Sequence, residues 1–418
     1  MADVALTEPQ WLVARREQAS ARVTALGLPQ WKGRPGWEFT DLGDFSLDAF
    51  RPAGESPLDA SPARLLEAPE GAVELLQVDH ASSEGVAIED GPVVLPLREA
   101  IERHPELVEP YLGSIVPLES GDVFVAANEA GWRRGSFVYV PRGVRVEVPL
   151  LLTTLAAEAG TALHHRTLIV VEDGAEAEVW QQFLSADAES ETLLTTVVEV
   201  VVGQNGRLRY VQGQELNERS WVFGAQRAEV ARDGAFDWAA VSFGAGRGRV
   251  RMETMLAGEG SEAKVTGAYA PHKRQHVDFD TTQEHAAPNT TSDLAFRGIL
   301  ADRSAAVWRG MIKVDPGAQQ TDAFQECRNL LLSKRAHADA IPGLEILAND
   351  VRCTHAAAIA QLDREQLFYL RARGLPEPVA TRLVIEGFMQ ELVERFEEGP
   401  IRAALGDAIE RRLSVLLD

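Results

Sequence analysis

Between about residues 121 and 360, apolar and polar positions alternate with a period of two. Phe137-Val-Tyr-Val-Pro, Val144-Arg-Val-Glu-Val and Leu168-Ile-Val-Val read as strands, as do residues 195–202, 208–212, 221–230, 236–243 and 250–256. Turn-forming pairs punctuate these runs: Arg142-Gly143, Asp173-Gly174, Asn205-Gly206, Asp233-Gly234, Glu259-Gly260, Pro288-Asn289 and Pro316-Gly317. They recur every 26 to 32 residues with no helical pattern between them. Such a loose period predicts a solenoid whose coils stack one on the next, with a large sandwich as the alternative. Hexapeptide repeats, the mark of a left-handed acyltransferase helix, are absent, and the pattern favours a parallel β-helix.

The two ends read differently. Thr7 with Gln10 matches a capping box, Pro9 fits a first turn, and a helix over 11–26 stops at Gly27 and Pro29. Residues 31–65 are rich in Pro, Gly and Asp and read as irregular, pinned to the core by Trp31, Trp37 and Phe39. A strand over 73–78 and a helix over 97–104 follow. After Gln361 the pattern turns helical again, with helices over 363–373, 376–396 and 401–417. The second places Val379, Leu383, Ile385, Phe388, Leu392 and Phe396 at roughly helical spacing.

Composition narrows the function. The formal net charge of −22 opposes binding to nucleic acid or to an anionic membrane. No apolar run approaches the ~18 residues of a membrane span. Two cysteines, Cys327 and Cys353, make no disulfide scaffold and fit a reducing compartment. With no basic, apolar leader pattern at the N-terminus, a cytoplasmic location is expected. The chain has no phosphate-binding Gly-x-x-x-x-Gly-Lys motif, no Gly-x-Ser-x-Gly and no His-Glu-x-x-His. No catalytic apparatus is expected.

Some residues still merit weighing. His272 and His276 stand four apart, a spacing that shares a face on helix or strand, but surface or interface histidines without a ligand role are the commoner outcome. His164 and His165 are neighbours and would point to opposite faces of a strand. Asp278, Asp280 and Glu284 suggest the acidic groove of a β-helix carbohydrate enzyme, though a solvated face explains them as well. In Cys353-Thr-His355 a strand would set a thiol and an imidazole side by side, a soft donor pair suited to iron–sulfur or zinc chemistry. Two donors do not complete a site, so Cys327 or a partner chain would have to add the rest. On the residues alone, a small buried Cys353 and a satisfied His355 are the simpler reading.

Longer motifs shift that balance. Trp308-Arg-Gly-Met-Ile-Lys-Val, Ala318-Gln-Gln-Thr-Asp-Ala-Phe-Gln, Arg328-Asn-Leu-Leu-Leu-Ser, Asn349-Asp-Val-Arg-Cys-Thr-His-Ala-Ala-Ala and Glu365-Gln-Leu-Phe-Tyr-Leu-Arg-Ala-Arg-Gly occur in this order. With Gly135-Ser-Phe-Val-Tyr-Val-Pro-Arg-Gly-Val and Arg166-Thr-Leu-Ile-Val-Val-Glu-Asp-Gly-Ala, they resemble the SufB/SufD scaffold subunits of the SUF iron–sulfur cluster assembly machinery over about residues 120–395. The Trp31 to Leu42 region makes the chain look more like SufD. The resemblance implies a mostly β fold, with a right-handed parallel β-helix core flanked by helical N- and C-terminal domains. The corresponding divisions are 1–115, 116–360 and 361–418. It also implies a scaffold rather than an enzyme, in complex with a SufB-type subunit and the ABC-type ATPase SufC. SufC would dock on the C-terminal helices, with Leu383, Phe388 and Leu392 as contacts. A transient iron–sulfur cluster would form at the SufB interface, with none resident in the isolated chain. His355 matches the family's SufD histidine, and Cys353 the cysteine two before it. Cys327 lies where SufB has its functional cysteine, but Ala356 replaces SufB's glutamate. A SufB-like scaffold is the nearest alternative, and homodimerisation of the isolated chain is left open.

Overall fold

A computed structural model describes residues 8–30, 36–59 and 63–417. From Leu150 onward the chain lays down strands alternately in two sheets. Leu150–Ala156 joins one sheet, Thr161–Val171 the other, Glu176–Ser185 the first again, and so on to Val351–Gln361. Each strand pairs in parallel with the strand one coil later, in a register such as Leu193↔Trp221↔Arg247↔His276↔Ala305↔His337. The described residues thus form an eleven-stranded and a ten-stranded sheet facing each other across a filled lumen. This is the parallel β-helix that the strand and turn pattern anticipates.

The turn pairs explain how the coils stack. Gly143, Gly174, Asn205, Asp233, Gly260 and Asn289 all adopt positive φ, between 54° and 71°, a region open to glycine and tolerated by Asn and Asp. Their amides bond upward in one column: Gly143 to Asp173 O, Gly174 to Gln204 O, Asn205 to Arg232 O, Asp233 to Glu259 O, Gly260 to Pro288 O and Asn289 to Gln319 O. Inside, period two sends alternate side chains into the lumen, where Val198, Val200, Tyr210, Trp238, Phe279, Phe296 and Trp308 pack.

The chain ends cover the outer faces. Helix α1 (Gln10–Leu26) is followed by an irregular strap and by the strand Val73–Val78, which pairs with Leu150–Ala156. Helices α2 (Leu97–Arg103), α3 (Pro105–Val108) and α4 (Val123–Gly131) complete the N-terminal region, which is therefore a mixture of helix, strand and strap rather than mainly helix. Buried Arg166 ties this region down, pairing with Glu129 of α4 and, at 2.8 Å, with Glu199. Glu199 also accepts the amides of Gly113, Ile115 and Val116 at 2.9 to 3.1 Å. At the other end α5 (Arg364–Ala372), α6 (Glu377–Val393) and α7 (Pro400–Leu417) follow the expected helices closely.

Some details depart from the sequence reading. Val144–Val148 is no strand: it rounds a corner before Pro149 and touches the sheet through one bridge, Arg145↔Glu176. Trp37 does pin the strap, packing 5.4 Å from the Phe124 ring and 6.0 Å from Phe223. Phe39 is exposed. Thr7 and Trp31 lie outside the described residues.

Candidate functional site

The last coil consists of His337–Ile346 and Val351–Gln361, paired on one side with Ala305–Val314 and Thr321–Leu331. Among the described residues no strand covers their other edges. The register carries the lumenal rows onto this coil. Thr321, Ala323, Gln325 and Cys327 are inward and buried, and their partners are Val351, Cys353, His355 and Ala357. Opposite them Ala338, Ala340, Pro342, Leu344 and Ile346 continue the row of Ala306, Trp308, Gly310, Ile312 and Val314. With no further coil above, these residues form an open mouth, and Leu344, Ile346 and Ile359 are exposed.

Cys353 and His355 stand on this mouth, two residues and so about 7 Å apart on one strand face. Cys353 is half-buried against Ala323, Ala318 and Val314. Burial, and then the charge of Asp322, raises its thiol pKa. Asp322 is itself engaged by Arg352. His355 is exposed. Cys327 is not beside them. It lies one coil deeper, 0% exposed, with its Sγ 3.4 Å from Asn329 Nδ2 and 3.5 Å from the Tyr269 hydroxyl. Burial pushes its pKa up to about 11, so it is held as a thiol. Among the described residues no three His, Cys, Asp or Glu side chains converge as a metal-holding group.

The other candidates have structural employment. His272 meets Arg412 of α7 at 2.7 Å through Nδ1 and Glu218 at 2.8 Å through Nε2. His276 instead faces the N-terminal strap, 3.2 Å from the Thr40 hydroxyl. The two histidines therefore serve opposite ends of the chain and share no site. His165 bonds Gln77 at 2.8 Å, and His164 bonds Thr195 at 2.7 Å. Asp278 takes Thr40 and Arg249, while Asp280 takes Arg249 at 2.6 Å and Arg309 at 3.0 Å. Glu284 pairs with Lys313 at 2.6 Å and Arg227 at 3.3 Å. These carboxylates are paired with arginine and lysine and fasten the strap and the sheet face.

Comparison with known proteins bears on the family of the chain. Residues 153–388 match the SufBD core domain of the SUF system of FeS cluster assembly, and residues 77–152 match the SufBD protein N-terminal region. The core match alone covers more than half of the chain. The chain belongs to the SufBD family. A curated SufBD family protein of iron–sulfur cluster assembly from Synechocystis sp. is 28% identical over 73% of this chain, and the match spans 65% of that protein, less than two thirds. One from Staphylococcus epidermidis is 26% identical over 92% of this chain and 85% of its own length. One from Staphylococcus aureus strain USA300 is 25% identical over the same shares. The protein is thus a SufBD family member of iron–sulfur cluster assembly.

In this SufBD protein the C-terminal helices divide their apolar residues between two tasks. Leu392, with Ile385, Met389, Val393 and Phe396, is buried against Val211, Ala239, Val241 and Ala268 of the sheet face and against α7. Phe388 is partly buried, with the Arg297 guanidinium 5.8 Å over its ring. Only Leu383 of the three expected contacts is open, at 50% exposure. Leu392 is therefore corrected: it holds the hairpin to the solenoid and presents nothing outward. Among the described residues, the exposed large apolar side chains of α5 to α7 are Phe368 at 75%, Tyr369, Val379, Leu383 and Val415. Phe368 and Tyr369 stand in the family motif that begins at Glu365 but were not named as contacts; two adjacent aromatics in a short amphipathic helix were the signal available.

No helix among the described residues is long and apolar enough to cross a membrane.

Proposed function

We propose that the chain is a SufD-type scaffold subunit, without catalysis of its own, that helps form iron–sulfur clusters where its open mouth meets a SufB-type subunit. The observation that carries this reading is the pairing of Cys353 and His355 on the lumenal face of an uncovered last coil. A neutral imidazole and a thiolate are donors suited to iron, which with sulfide is the cargo of the reaction. Two donors leave coordination positions for a partner, which suits assembly at an interface rather than a resident centre. Ala356 in place of SufB's glutamate, and a Cys327 that is buried and protonated, favour SufD over SufB. Within this reading the ABC-type ATPase SufC docks on Phe368, Tyr369, Val379 and Leu383, in the cytoplasm. Its turnover would shift the two scaffold chains and open the mouth to iron and sulfide.

Anaerobic purification from the native host, with partners identified by mass spectrometry, tests the complex. Stoichiometric recovery of an ABC-type ATPase and a paralogous scaffold subunit is expected; recovery of the chain alone refutes the reading. His355→Ala then tests the ligand role, and unimpaired cluster formation in cells would falsify it.

A further inference from the structure

Directly beneath His355 in the register lies Gln325, 0% exposed. Its side chain crosses the lumen, and Nε2 donates to the carbonyls of Gly310 at 3.2 Å and Gly343 at 3.0 Å. Those bonds fix the amide, because a flip would turn Oε1 onto two carbonyl oxygens. Oε1 is left buried without a partner, a state native proteins avoid. Only glycine fits at 310 beside it: a Cβ there would sit 2.3 Å from the Trp308 ring and 2.5 Å from this oxygen. One neighbouring donor, the Trp308 indole N–H, is also unpartnered. Trp308 is wholly buried in the packed core, with little freedom to turn toward the oxygen. His355 is the donor free to move: it is exposed, at the open end, and its backbone lies one strand spacing of about 4.8 Å from that of Gln325.

We propose that Gln325 is a positioning residue for His355. Its Oε1 accepts one ring N–H of the neutral imidazole when that ring folds back over the mouth. The hydrogen bond fixes the tautomer and leaves the other ring nitrogen with its lone pair directed outward, as metal-binding histidines are commonly held. The inference rests on the ligand reading of His355 given above and adds how that ligand is oriented.

The test is NMR of the full, deuterated chain with 15N-labelled histidine, His355 being assigned by its disappearance in His355→Gln. The expected wild-type spectrum shows a solvent-protected His355 ring N–H and ring nitrogen shifts of a single tautomer. In Gln325→Met both signs are lost, and the ring shows the tautomer mixture of a free imidazole. A wild-type His355 with no protected ring N–H and a mixed tautomer overturns the proposal, whether or not Gln325→Met folds. So does a folded Gln325→Met in which the His355 signals are unchanged and the Trp308 indole N–H shifts instead. The ligand reading fails separately, through His355→Ala in cells, and can fail while the ring N–H is present.

Discussion

At the scale of single residues, the two thiols are separated by one coil and by their access to solvent. Cys327 is sealed among Tyr269, Asn329 and Phe296, with its pKa pushed up to about 11. Cys353 is half-buried at the mouth with a more modestly raised pKa. Thiolate, not thiol, reacts with disulfide reagents, so access and ionisation both favour Cys353. Titration of the folded chain with a disulfide reagent at pH 8 is expected to count one thiol, rising to two in denaturant. Cys353→Ser should remove the native count; two fast thiols in the folded protein would contradict this placement. Histidines give a second residue-level prediction. His165 and His285 are buried and neutral, with pKa values lowered by burial to about 3 and about 4. Between these values and ~6.5 the unfolded chain binds protons that the folded chain does not. Their contribution is complete above pH 6.5 and is lost as pH falls, at about 1.4 kcal/mol per pH unit for each. His272 acts in the same direction, its pKa lowered by burial and then by the Arg412 guanidinium 2.7 Å from Nδ1. Urea midpoints should decline steadily below pH 6.5, and a flat midpoint from pH 7 to 5 would show that these rings are not held neutral.

At the scale of elements, the C-terminal hairpin shows what periodicity can and cannot tell. The helix bounds were legible because capping and breaking are local, as where Asp363 accepts the Glu365 amide at 2.8 Å and Gly374 takes positive φ. The apolar spacing of α6 was also legible, but which residues face the solenoid depends on a sheet more than 100 residues earlier. Leu392 and Leu383 carry the same side chain and were given the same role, yet only one is buried. Leu392→Ala is expected to cost about 2–4 kcal/mol by denaturant unfolding, while Leu383→Ala stays within ~0.5 kcal/mol. If the ATPase subunit docks on the exposed side, Leu383→Ala with Phe368→Ala weakens its co-purification and leaves the unfolding midpoint in place. The strap makes the same point. His276, Asp278 and Asp280 looked like chemistry because their partners, Thr40 and the arginines, arrive from distant strands and from the other end of the chain.

For the whole molecule, the consequence of stacking like coils is that the stack must end somewhere. Each interior coil hides its apolar row under the next, whereas the last leaves Leu344, Ile346 and Ile359 open beside two strand edges that no strand among the described residues covers. Nothing in the alternation of His337–Ile346 or Val351–Gln361 marks them as last, which is why the mouth was not legible although Cys353 and His355 were. The one local sign is Pro342. His337 and Leu347 donate to Ser304 and Val314 of the coil below, so the even-numbered amides of this strand point to the free edge, where proline offers none. An edge missing one donor resists indiscriminate strand addition. The selected association then depends on the apolar mouth as well as on backbone pairing. Leu344→Lys with Ile359→Lys places two charges on that mouth without touching the buried core. We expect the unfolding midpoint to hold within ~0.5 kcal/mol. Association with the scaffold partner, or with a second copy of this chain, should fall at least tenfold by light scattering or titration calorimetry. Unchanged association would move the interface away from the open end, and with it the ground for placing cluster assembly at Cys353 and His355.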